Sequence, residues 1–297
     1  MAEKREKKES KEMLHPRNRH RGSYDFDALI GAYAALERFV APNKFGTRSI
    51  NFFDPAAVKA LNAALLALHY KIEWWDIPSS ALTPPIPGRA DYIHYAADLL
   101  SLKAGSAVRC LDIGTGANCI YPIIGRAEYG WEFVGSDIDD RSIESAQQII
   151  DRNSLLKGHV ELRKQHCKED IFKGVIGEDD YFDLTICNPP FHDSAQSAKR
   201  GSERKLRGLK AKNKGILNFA GQSNELWCEG GERLFIERMI SQSVDFKRQC
   251  EWFTTLVSSE DNLPPLRSAL RKVGARETRT IEMHQGNKRS RILAWRF

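Results

Sequence analysis

The tetrad Asn188-Pro189-Pro190-Phe191 contains the residue types needed to act on a planar amino group. The nitrogen of such a group is a poor nucleophile, because its lone pair is delocalised into the attached ring. The Asn188 side-chain oxygen and the Pro189 carbonyl are both able to accept its N–H bonds and so direct the lone pair at an electrophile. The prolines stiffen the backbone, and Phe191 offers a face on which a base can stack. We predict that all four residues are catalytic, although a simple turn after a strand would also explain the tetrad.

A second group of residues is typical of a nucleoside-binding loop. Asp112, Gly114 and Gly116 follow a predicted strand and precede a predicted helix, where glycines let the backbone turn sharply beside a ligand. A dinucleotide-binding loop would have a third glycine at position 119, but the residue is Cys119, which disfavours a pyrophosphate-containing cofactor. Asp137 ends the next predicted strand, where its carboxylate is placed to accept both hydroxyls of a ribose. The pattern predicts an adenosine-containing cofactor without pyrophosphate, of which S-adenosylmethionine is the common example.

Arg89 lies just before the first helix of the predicted core, which we expect to begin near Asp91. A guanidinium in this position could pair with the methionyl carboxylate of such a cofactor. A surface salt bridge is the alternative interpretation.

The elements that must position these residues alternate between strands and helices, which predicts a doubly wound, mostly parallel sheet. The last two strands are too close in sequence for a crossover helix, so they should pair as an antiparallel hairpin. Ligands bind at the carboxyl ends of strands in such a sheet, and this would bring the tetrad beside the glycine loop. The predicted strands are 107–113, 131–137, 159–163, 181–187, 251–257, 277–283 and 291–297, and the predicted helices are 141–153, 232–242 and 263–273.

The chain before this core divides into a tail and a small module. Residues 1–13 are rich in Lys and Glu without an apolar face, so we expect disorder. Residues 14–88 are predicted to form a helical RNA-binding module, because apolar residues recur at helical spacing over 24–40 and 54–70. The Pro-rich stretch 83–88 marks the boundary with a catalytic core over 89–297, within which 193–222 is predicted to be a flexible basic loop. Trp74 and Trp75 are expected to be core anchors, with base stacking as the alternative.

Positive charge is concentrated in three segments. Residues 1–21, 199–214 and 266–297 carry net charges of +4, +7 and +7, whereas the whole chain carries only +6. A negative body with basic segments is typical of a protein that holds a polyanion, although each segment alone would also suit a solvated surface. The predicted phosphate contacts are Arg17, Arg19, Arg21, Lys199, Arg200, Arg204, Lys205, Lys288, Arg289 and Arg291.

Composition excludes several other classes of protein. The hydrophobic fraction is 41% and the charged fraction 28%, and no apolar run has the length of a membrane span. The N-terminus lacks the apolar stretch of a secretory signal. The six cysteines are scattered without a Cys-x-x-Cys pair, which argues against disulfides and a zinc site. We therefore expect a cytoplasmic protein, monomeric, without a metal and not associated with a membrane.

Four motifs together resemble the bacterial 23S ribosomal RNA adenine-N6 methyltransferase F family, which is related to eukaryotic methyltransferases acting on spliceosomal small nuclear RNA. The resemblance covers about residues 14–297. It is carried by Leu14-His15-Pro16-Arg17-Asn18-Arg19-His20, the run Leu111 to Pro122, the Asn188 tetrad and Glu229-Gly230-Gly231-Glu232. The chain ends at Phe297, so the additional C-terminal RNA-binding region of the eukaryotic relatives is not expected.

The resemblance implies a Rossmann-like class I S-adenosylmethionine-dependent methyltransferase that modifies one adenine of 23S ribosomal RNA, free or in a large-subunit assembly intermediate. It also implies that the Lys168-Glu169-Asp170 turn lies on the adenine side of the cofactor pocket. A glutamine or cytosine amine as acceptor, and a non-catalytic RNA-binding assembly factor, are the alternatives. The cofactor-contacting positions that it implies are Arg89, Gly114, Asn118, Asp137 and Asn188.

Overall fold

The computed structural model describes residues 14–100, 107–190, 229–285 and 288–297. Two short antiparallel strands, β1 (Val40–Pro42) and β2 (Arg48–Ile50), lie in the N-terminal part. The strands of the main sheet are β3 (Arg109–Ile113), β4 (Glu132–Asp137), β5 (Val160–Lys164), β6 (Phe182–Cys187), β7 (Cys250–Val257), β8 (Glu277–Gln285) and β9 (Lys288–Arg296). Their order is β5-β4-β3-β6-β7-β9-β8.

Helices separate most strands of the main sheet, as the sequence predicts, but residues 165–181 between β5 and β6 form turns instead. Neighbouring strands from β5 to β7 are parallel, so each connection must cross over the sheet. The expectation of a doubly wound, mostly parallel sheet is confirmed. The α-helices are α1 (Phe26–Ala32), α2 (Pro55–Tyr70), α3 (Ile86–Leu100), α4 (Ile120–Tyr129), α5 (Asp140–Asp151), α6 (Gly231–Ser243) and α7 (Leu263–Lys272), with short 3-10 helices at Ala34–Phe39 and Glu260–Asn262.

Both faces of the sheet are buried. Successive side chains of a strand point to opposite faces, so Cys110 packs into one hydrophobic cluster and Leu111 into the other. The first cluster joins the sheet to α2, α3, α4 and α5, and the second joins it to α6 and α7. This double burial explains why four consecutive residues of β3, Cys110 to Ile113, are buried rather than every second one.

The order of the sheet reverses at β3, which lies between β4 and β6. Ile113 at the end of β3 pairs with Ser136 of β4 on one side and with Cys187 of β6 on the other. The loops after these three strands therefore meet at one edge, where a doubly wound sheet binds its ligand. The glycine loop and the Asn188 tetrad are brought together in this way.

The last two strands form an antiparallel hairpin, as predicted. Strand β8 pairs with β9 along its whole length, from Glu277 with Arg296 to Gln285 with Lys288. Strand β9 also runs antiparallel to β7 and so joins the hairpin to the parallel part of the sheet. The fold is therefore the Rossmann-like arrangement with a C-terminal antiparallel hairpin that the sequence predicts.

The N-terminal module is only partly as predicted. Helix α2 begins after Asp54, whose carboxylate accepts a hydrogen bond from the Ala56 N–H, as expected for an N-cap followed by Pro55. One helix over residues 24–40 was the wrong expectation. Helix α1 ends at Ala32, and the extended backbone of Tyr33 (φ −148°) separates it from the following 3-10 helix. The β1–β2 pair was not predicted.

The module and the core share one hydrophobic cluster. It runs without a break from Phe26 and Leu66 through Trp75 to Cys110 of the central strand. The Pro-rich stretch does not separate the two parts, because α3 already begins at Ile86 and includes Pro87, the third proline of the stretch, in its first turn. A domain boundary at residue 88 stays a prediction, and the hydrophobic packing is continuous across it.

Residues 14–20 lie against α3 as a strap. The His15 backbone N–H and the Asn18 side-chain amide both donate to Asp91 Oδ1, at 3.0 and 2.5 Å. The His15 ring contacts Asp98, about two helical turns after Asp91, with Nε2 2.9 Å from Oδ2. Burial raises the pKa of Asp91 to about 6, although the hydrogen bonds from the Asn18 amide and the His15 backbone N–H oppose the shift. The strap thereby fixes the helix that carries Arg89.

The segment between α2 and α3 is held by the side chain of Asn153. Its Oδ1 accepts the backbone N–H groups of Glu73 and Trp74 at 2.7 and 3.1 Å, and its Nδ2 donates to the Trp74 carbonyl at 2.7 Å. A further bond joins Nδ2 to the Ile149 carbonyl at 2.6 Å. One buried amide thus fastens the segment that carries Trp75 to the end of α5.

We expect Asn153→Ala to lower the free energy of unfolding by about 2–4 kcal/mol, because it leaves several buried backbone groups without partners. Gln147→Ala on the exposed face of the same helix removes one bond, from Nε2 to Asp151, and should change stability by less than about 0.5 kcal/mol. Urea unfolding of both variants measures the difference, and equal losses would contradict the assignment.

Candidate active site

The carboxyl ends of β3, β4 and β6 open into a cavity of about 450 Å³. Eight of the residues predicted for the catalytic or cofactor site line it, which brings the two motifs into one place. They are Arg89, Gly114, Gly116, Asn118, Asp137, Asn188, Pro189 and Pro190. Phe191, the fourth member of the tetrad, lies outside the described residues.

The loop after β3 is held from below by Asp112. This carboxylate is fully buried, accepts the Thr115 hydroxyl at 2.6 Å and does not itself line the cavity. Its second oxygen has no hydrogen-bond partner among the described residues. Burial raises the Asp112 pKa to about 7, which the Thr115 hydrogen bond opposes. Asp112 therefore supports the loop from beneath rather than from within the cavity.

Gly114 lets the backbone of the loop turn sharply beside the cavity. Its φ of +73° lies in the left-handed region that glycine adopts without strain, and a Cβ built there would meet no atom within 4 Å. The backbone N–H groups of Gly114 and Thr115 both donate to the Ser136 carbonyl at 2.9 Å, which fixes the turn to the end of β4. The space that a Cβ would fill is open to a ligand.

Asp137 lies at the end of β4, where the sequence predicts the ribose site. Its carboxylate accepts the backbone N–H groups of Gly116 and Asp139, both at 2.9 Å. Burial raises its pKa, and these two hydrogen bonds act in the opposite direction. Each carboxylate oxygen has a second lone pair, so both remain able to accept a hydroxyl.

Arg89 contacts Asn188 directly. One nitrogen, Nη1, donates both to Asn188 Oδ1 and to the Tyr121 hydroxyl at 2.8 Å. Arg89 lies in α3 and is only 8% exposed, so it is not the surface arginine of the alternative interpretation. Because a guanidinium can only donate, this contact fixes which end of the Asn188 amide is the oxygen.

A buried hydroxyl network fixes the end of β6 just before Asn188. The Tyr92 hydroxyl accepts the Cys187 N–H at 3.3 Å and lies 2.7 Å from the Thr254 hydroxyl. Thr254 in turn donates to the Thr185 carbonyl at 2.5 Å. These residues come from α3, β6 and β7, so the same helix that orients Asn188 through Arg89 also holds its strand.

The turn implied by the resemblance, Lys168-Glu169-Asp170, lines the other end of the cavity. It is held by Gln242 of α6, whose Nε2 donates to the Glu169 carbonyl at 2.7 Å and whose Oε1 accepts the Ile171 N–H at 2.8 Å. Sequence reasoning missed Gln242, because a single glutamine on an amphipathic helix gives no local signal.

The Glu229-Gly230-Gly231-Glu232 motif forms a turn and the start of α6, as expected. Glu229 lines the cavity. Glu232 is buried and accepts the Ser258 N–H at 2.6 Å and the Asn262 side-chain amide at 2.6 Å, beyond the end of β7. This carboxylate therefore ties α6 to the neighbouring strand end.

The predicted phosphate contacts fall into different surroundings. Arg17 and Arg19 are about half-exposed but form ion pairs with Asp98 and Glu128, at 2.5 and 2.6 Å. Arg21 and Arg289 are exposed. Arg291 is 6% exposed and pairs with Glu260 at 2.5 Å, which favours a structural role over contact with phosphate. Residues 199–205 and the side chain of Lys288 lie outside the described part of the chain.

Two features are absent from the residues that the structure describes. Within them, no group of three or more His, Cys, Asp or Glu side chains could hold a metal ion. None of the helices in the same ranges is long and apolar enough to cross a membrane.

We expect the buried carboxyl of Asp112 to make stability depend on pH. Its folded pKa of about 7 lies above the ordinary value of 3.8, so ionisation opposes folding increasingly as pH rises between these values. Asp112→Asn keeps an acceptor for Thr115 and should gain roughly 2–3 kcal/mol relative to the wild type between pH 5 and pH 8. Urea unfolding without ligand at both pH values measures this gain, and a constant difference would contradict it.

Known proteins with similar sequences belong to the family that the motifs indicate. A family described as RNA methyltransferase matches residues 8–297. The ribosomal RNA large subunit methyltransferase F of Bacteroides fragilis is 54% identical over 96% of this chain and 98% of its own length. The protein of the same name from Cytophaga hutchinsonii is 53% identical over 100% of this chain and 95% of its own length.

Solved structures agree with the fold. The human METTL16 catalytic domain in complex with the MAT2A 3′UTR hairpin 1 superposes with a TM-score of 0.82, at 31% identity over 96% of both chains. The N-terminal domain of human METTL16 in complex with SAH gives a TM-score of 0.77, at 30% identity over 96% of this chain and 98% of that one. The resemblance stated from the motifs is confirmed, and the chain belongs to the RNA methyltransferase family that these proteins represent.

Proposed function

We propose that the chain transfers a methyl group from S-adenosylmethionine to the N6 amine of one adenine in 23S ribosomal RNA. The observation that carries the proposal is the Arg89–Asn188 contact in the wall of the cavity, next to the glycine loop. It presents an oriented amide oxygen at the place where an acceptor amine must meet the methyl donor. The choice of ribosomal RNA as the substrate is supported by the relatives that are named large-subunit ribosomal RNA methyltransferases.

The residues of the cavity fit the proposed cofactor. The open space above Gly114 suits a nucleoside, the Asp137 carboxylate suits ribose hydroxyls, and the Arg89 guanidinium in the cavity wall suits the methionyl carboxylate. When bound, the cofactor supplies an electrophilic methyl group on a sulfonium. The structure in complex with SAH, at 30% identity over nearly the whole chain, supports this choice.

Asn188 and Pro189 act on the acceptor. One lone pair of Asn188 Oδ1 accepts from Arg89, and the other remains for an N–H of the target amine. The Pro189 carbonyl accepts the second N–H, as the sequence predicts. Both contacts favour a pyramidal nitrogen whose lone pair is aimed at the methyl group. A strong general base is unnecessary, because the amine proton becomes acidic only after the methyl has been transferred.

The basic segments support RNA as the acceptor rather than a protein glutamine. The complex of human METTL16 with an RNA hairpin places RNA on a chain that is 31% identical. The target adenine must leave its stack to reach the cavity, so a loop or bulge is the expected site. We further propose that the substrate is 23S RNA or a large-subunit assembly intermediate, and that a cytoplasmic monomer carries out the transfer.

Asn188→Ala should lower the rate of methyl transfer by roughly 100-fold or more while RNA binding is retained, because it removes an oriented acceptor of the reacting amine. Asn188→Asp keeps oxygens for both Arg89 and the amine and should retain more activity than Asn188→Ala. The measurement is methyl incorporation into unmodified 23S RNA and into large-subunit particles, with the modified base identified as N6-methyladenine by mass spectrometry.

Gln147→Ala, on an exposed helix face, serves as the control and should match the wild type. Methylation of a cytosine or a protein glutamine would replace the proposed acceptor. If the wild-type protein binds the cofactor but transfers no methyl group to any RNA, the result would favour a non-catalytic assembly factor.

Two arginines on β9 should respond differently to the same substitution. Arg289 is exposed, so Arg289→Gln should weaken RNA binding and reduce the slope of log affinity against log salt by about 0.7–0.9, with no change in melting temperature. Arg291 is buried against Glu260, so Arg291→Gln should lower the melting temperature instead. Salt titration of RNA binding and thermal melting of both variants distinguish the two roles, and interchanged effects would contradict them.

A further inference from the structure

Cys119 has an unusual backbone conformation for its residue type. Its φ of +51° and ψ of +32° lie in the left-handed region, where a side chain with a Cβ is strained. It is fully buried and directly follows Asn118, which lines the cavity. A glycine would adopt this conformation without strain, so contacts outside the residue must hold the peptide between Asn118 and Cys119 in place.

Trp75 supplies one of these contacts. Its indole N–H donates to the Asn118 backbone carbonyl at 3.0 Å, and both residues are buried. This carbonyl belongs to the peptide that sets the φ angle of Cys119, so the hydrogen bond opposes rotation toward an unstrained conformation. Trp75 lies 43 positions earlier in the chain, in the segment before α3 that Asn153 fastens to α5.

The other groups of the loop are held locally. Ser145 of α5 donates its hydroxyl to the Ala117 carbonyl at 2.9 Å, and Asn118 Oδ1 accepts the Ile120 N–H at 3.1 Å. With its oxygen engaged in this way, the Asn118 side chain has its Nδ2 group to offer as a donor to a ligand. The direction of that group depends on the backbone that Trp75 fixes.

The N-terminal module also contributes directly to the cavity. Leu82 and Pro84 line it, and the buried Asn62 side chain of α2 donates to the Pro84 carbonyl at 2.8 Å. The part of the chain interpreted as an RNA-binding module therefore lines the cavity itself and also supports the loop that carries Asn118.

We propose that Trp75 is a positioning residue for the methyl donor, since its indole N–H holds the strained Asn118–Cys119 peptide in the conformation that binds the cofactor. The inference rests on S-adenosylmethionine as the proposed cofactor. A residue that only packs in the core would stabilise the fold through its ring, whereas the proposed role needs the N–H group. Replacement by phenylalanine separates these roles, because it keeps an aromatic ring and removes the donor.

The test measures binding of S-adenosylhomocysteine to the whole chain by calorimetry. Trp75→Phe should weaken binding by roughly 3- to 10-fold, as expected for loss of one buried hydrogen bond. Trp74→Phe is the matched control, because the neighbouring ring stacks with Arg152 instead, and it should bind like the wild type. In the Trp75→Phe background, Cys119→Gly should restore binding to within about twofold, since glycine needs no external contact to keep a positive φ.

Enzyme kinetics and hydrogen exchange give readouts that packing alone would not change. Trp75→Phe should raise KM for the methyl donor while leaving kcat at saturation within about twofold. In the wild type, S-adenosylhomocysteine should slow exchange of the Trp75 indole hydrogen at least about threefold more than that of the buried Trp295, whose indole N–H bonds to Ser243 outside the cavity, because coupling between two equilibria is reciprocal. This second measurement applies even when Trp75→Phe does not fold.

The outcomes separate the inference from the proposed function. A wild-type chain that does not bind S-adenosylhomocysteine overturns the proposed cofactor. Wild-type binding with equal affinity for Trp75→Phe, failure of Cys119→Gly to restore binding, or unchanged exchange of the indole hydrogen overturns the role of Trp75 alone.

Discussion

The proposed chemistry depends on a buried cation. Arg89 is almost completely removed from solvent, yet its hydrogen-bond partners among the described residues are the neutral Tyr121 hydroxyl and the Asn188 amide oxygen. Burying a charge among neutral groups is costly unless a counter-charge is near, and the charge of Arg89 does lower the pKa of Asp112, although burial raises it more. A cavity with this cation in its wall favours a ligand that carries a carboxylate.

Helix α3 connects this cation to the rest of the molecule. Its successive faces carry Arg89 toward the cavity, Tyr92 under the end of β6, and Asp91 toward the strap. A shift of the helix would disturb Asn188 through its hydrogen bond and through its strand at once. The basic segment near the N-terminus helps to hold this helix, because two of its arginines form ion pairs with carboxylates of the protein itself. Arg17 and Arg19 pair with Asp98 and Glu128 before any phosphate is present.

Features set by neighbouring residues could be predicted from the sequence, and features set by distant contacts could not. The strand ends, the glycine loop and the Asn188 tetrad follow from apolar runs that stop at Gly or Pro. The partner of Arg89 lies 99 positions away, so no local pattern indicates it. The same holds for Gln242, which holds a turn 71 to 73 positions earlier. Cys119 is a subtler case, because the sequence used this residue only as evidence against a pyrophosphate-containing cofactor, whereas the structure shows a glycine-like backbone there.

The shared wall of the cavity limits how this fold can be recombined. Exchanging residues 14–88 for those of a relative would also replace Trp75, which bonds to the Asn118 carbonyl, and the cavity-lining Leu82 and Pro84. A chimera joined between β2 and α2 keeps Asn62 with the Pro84 carbonyl that it supports. An exchange that leaves the cavity intact must therefore end upstream of α2, well before residue 88, where the sequence composition suggests a boundary.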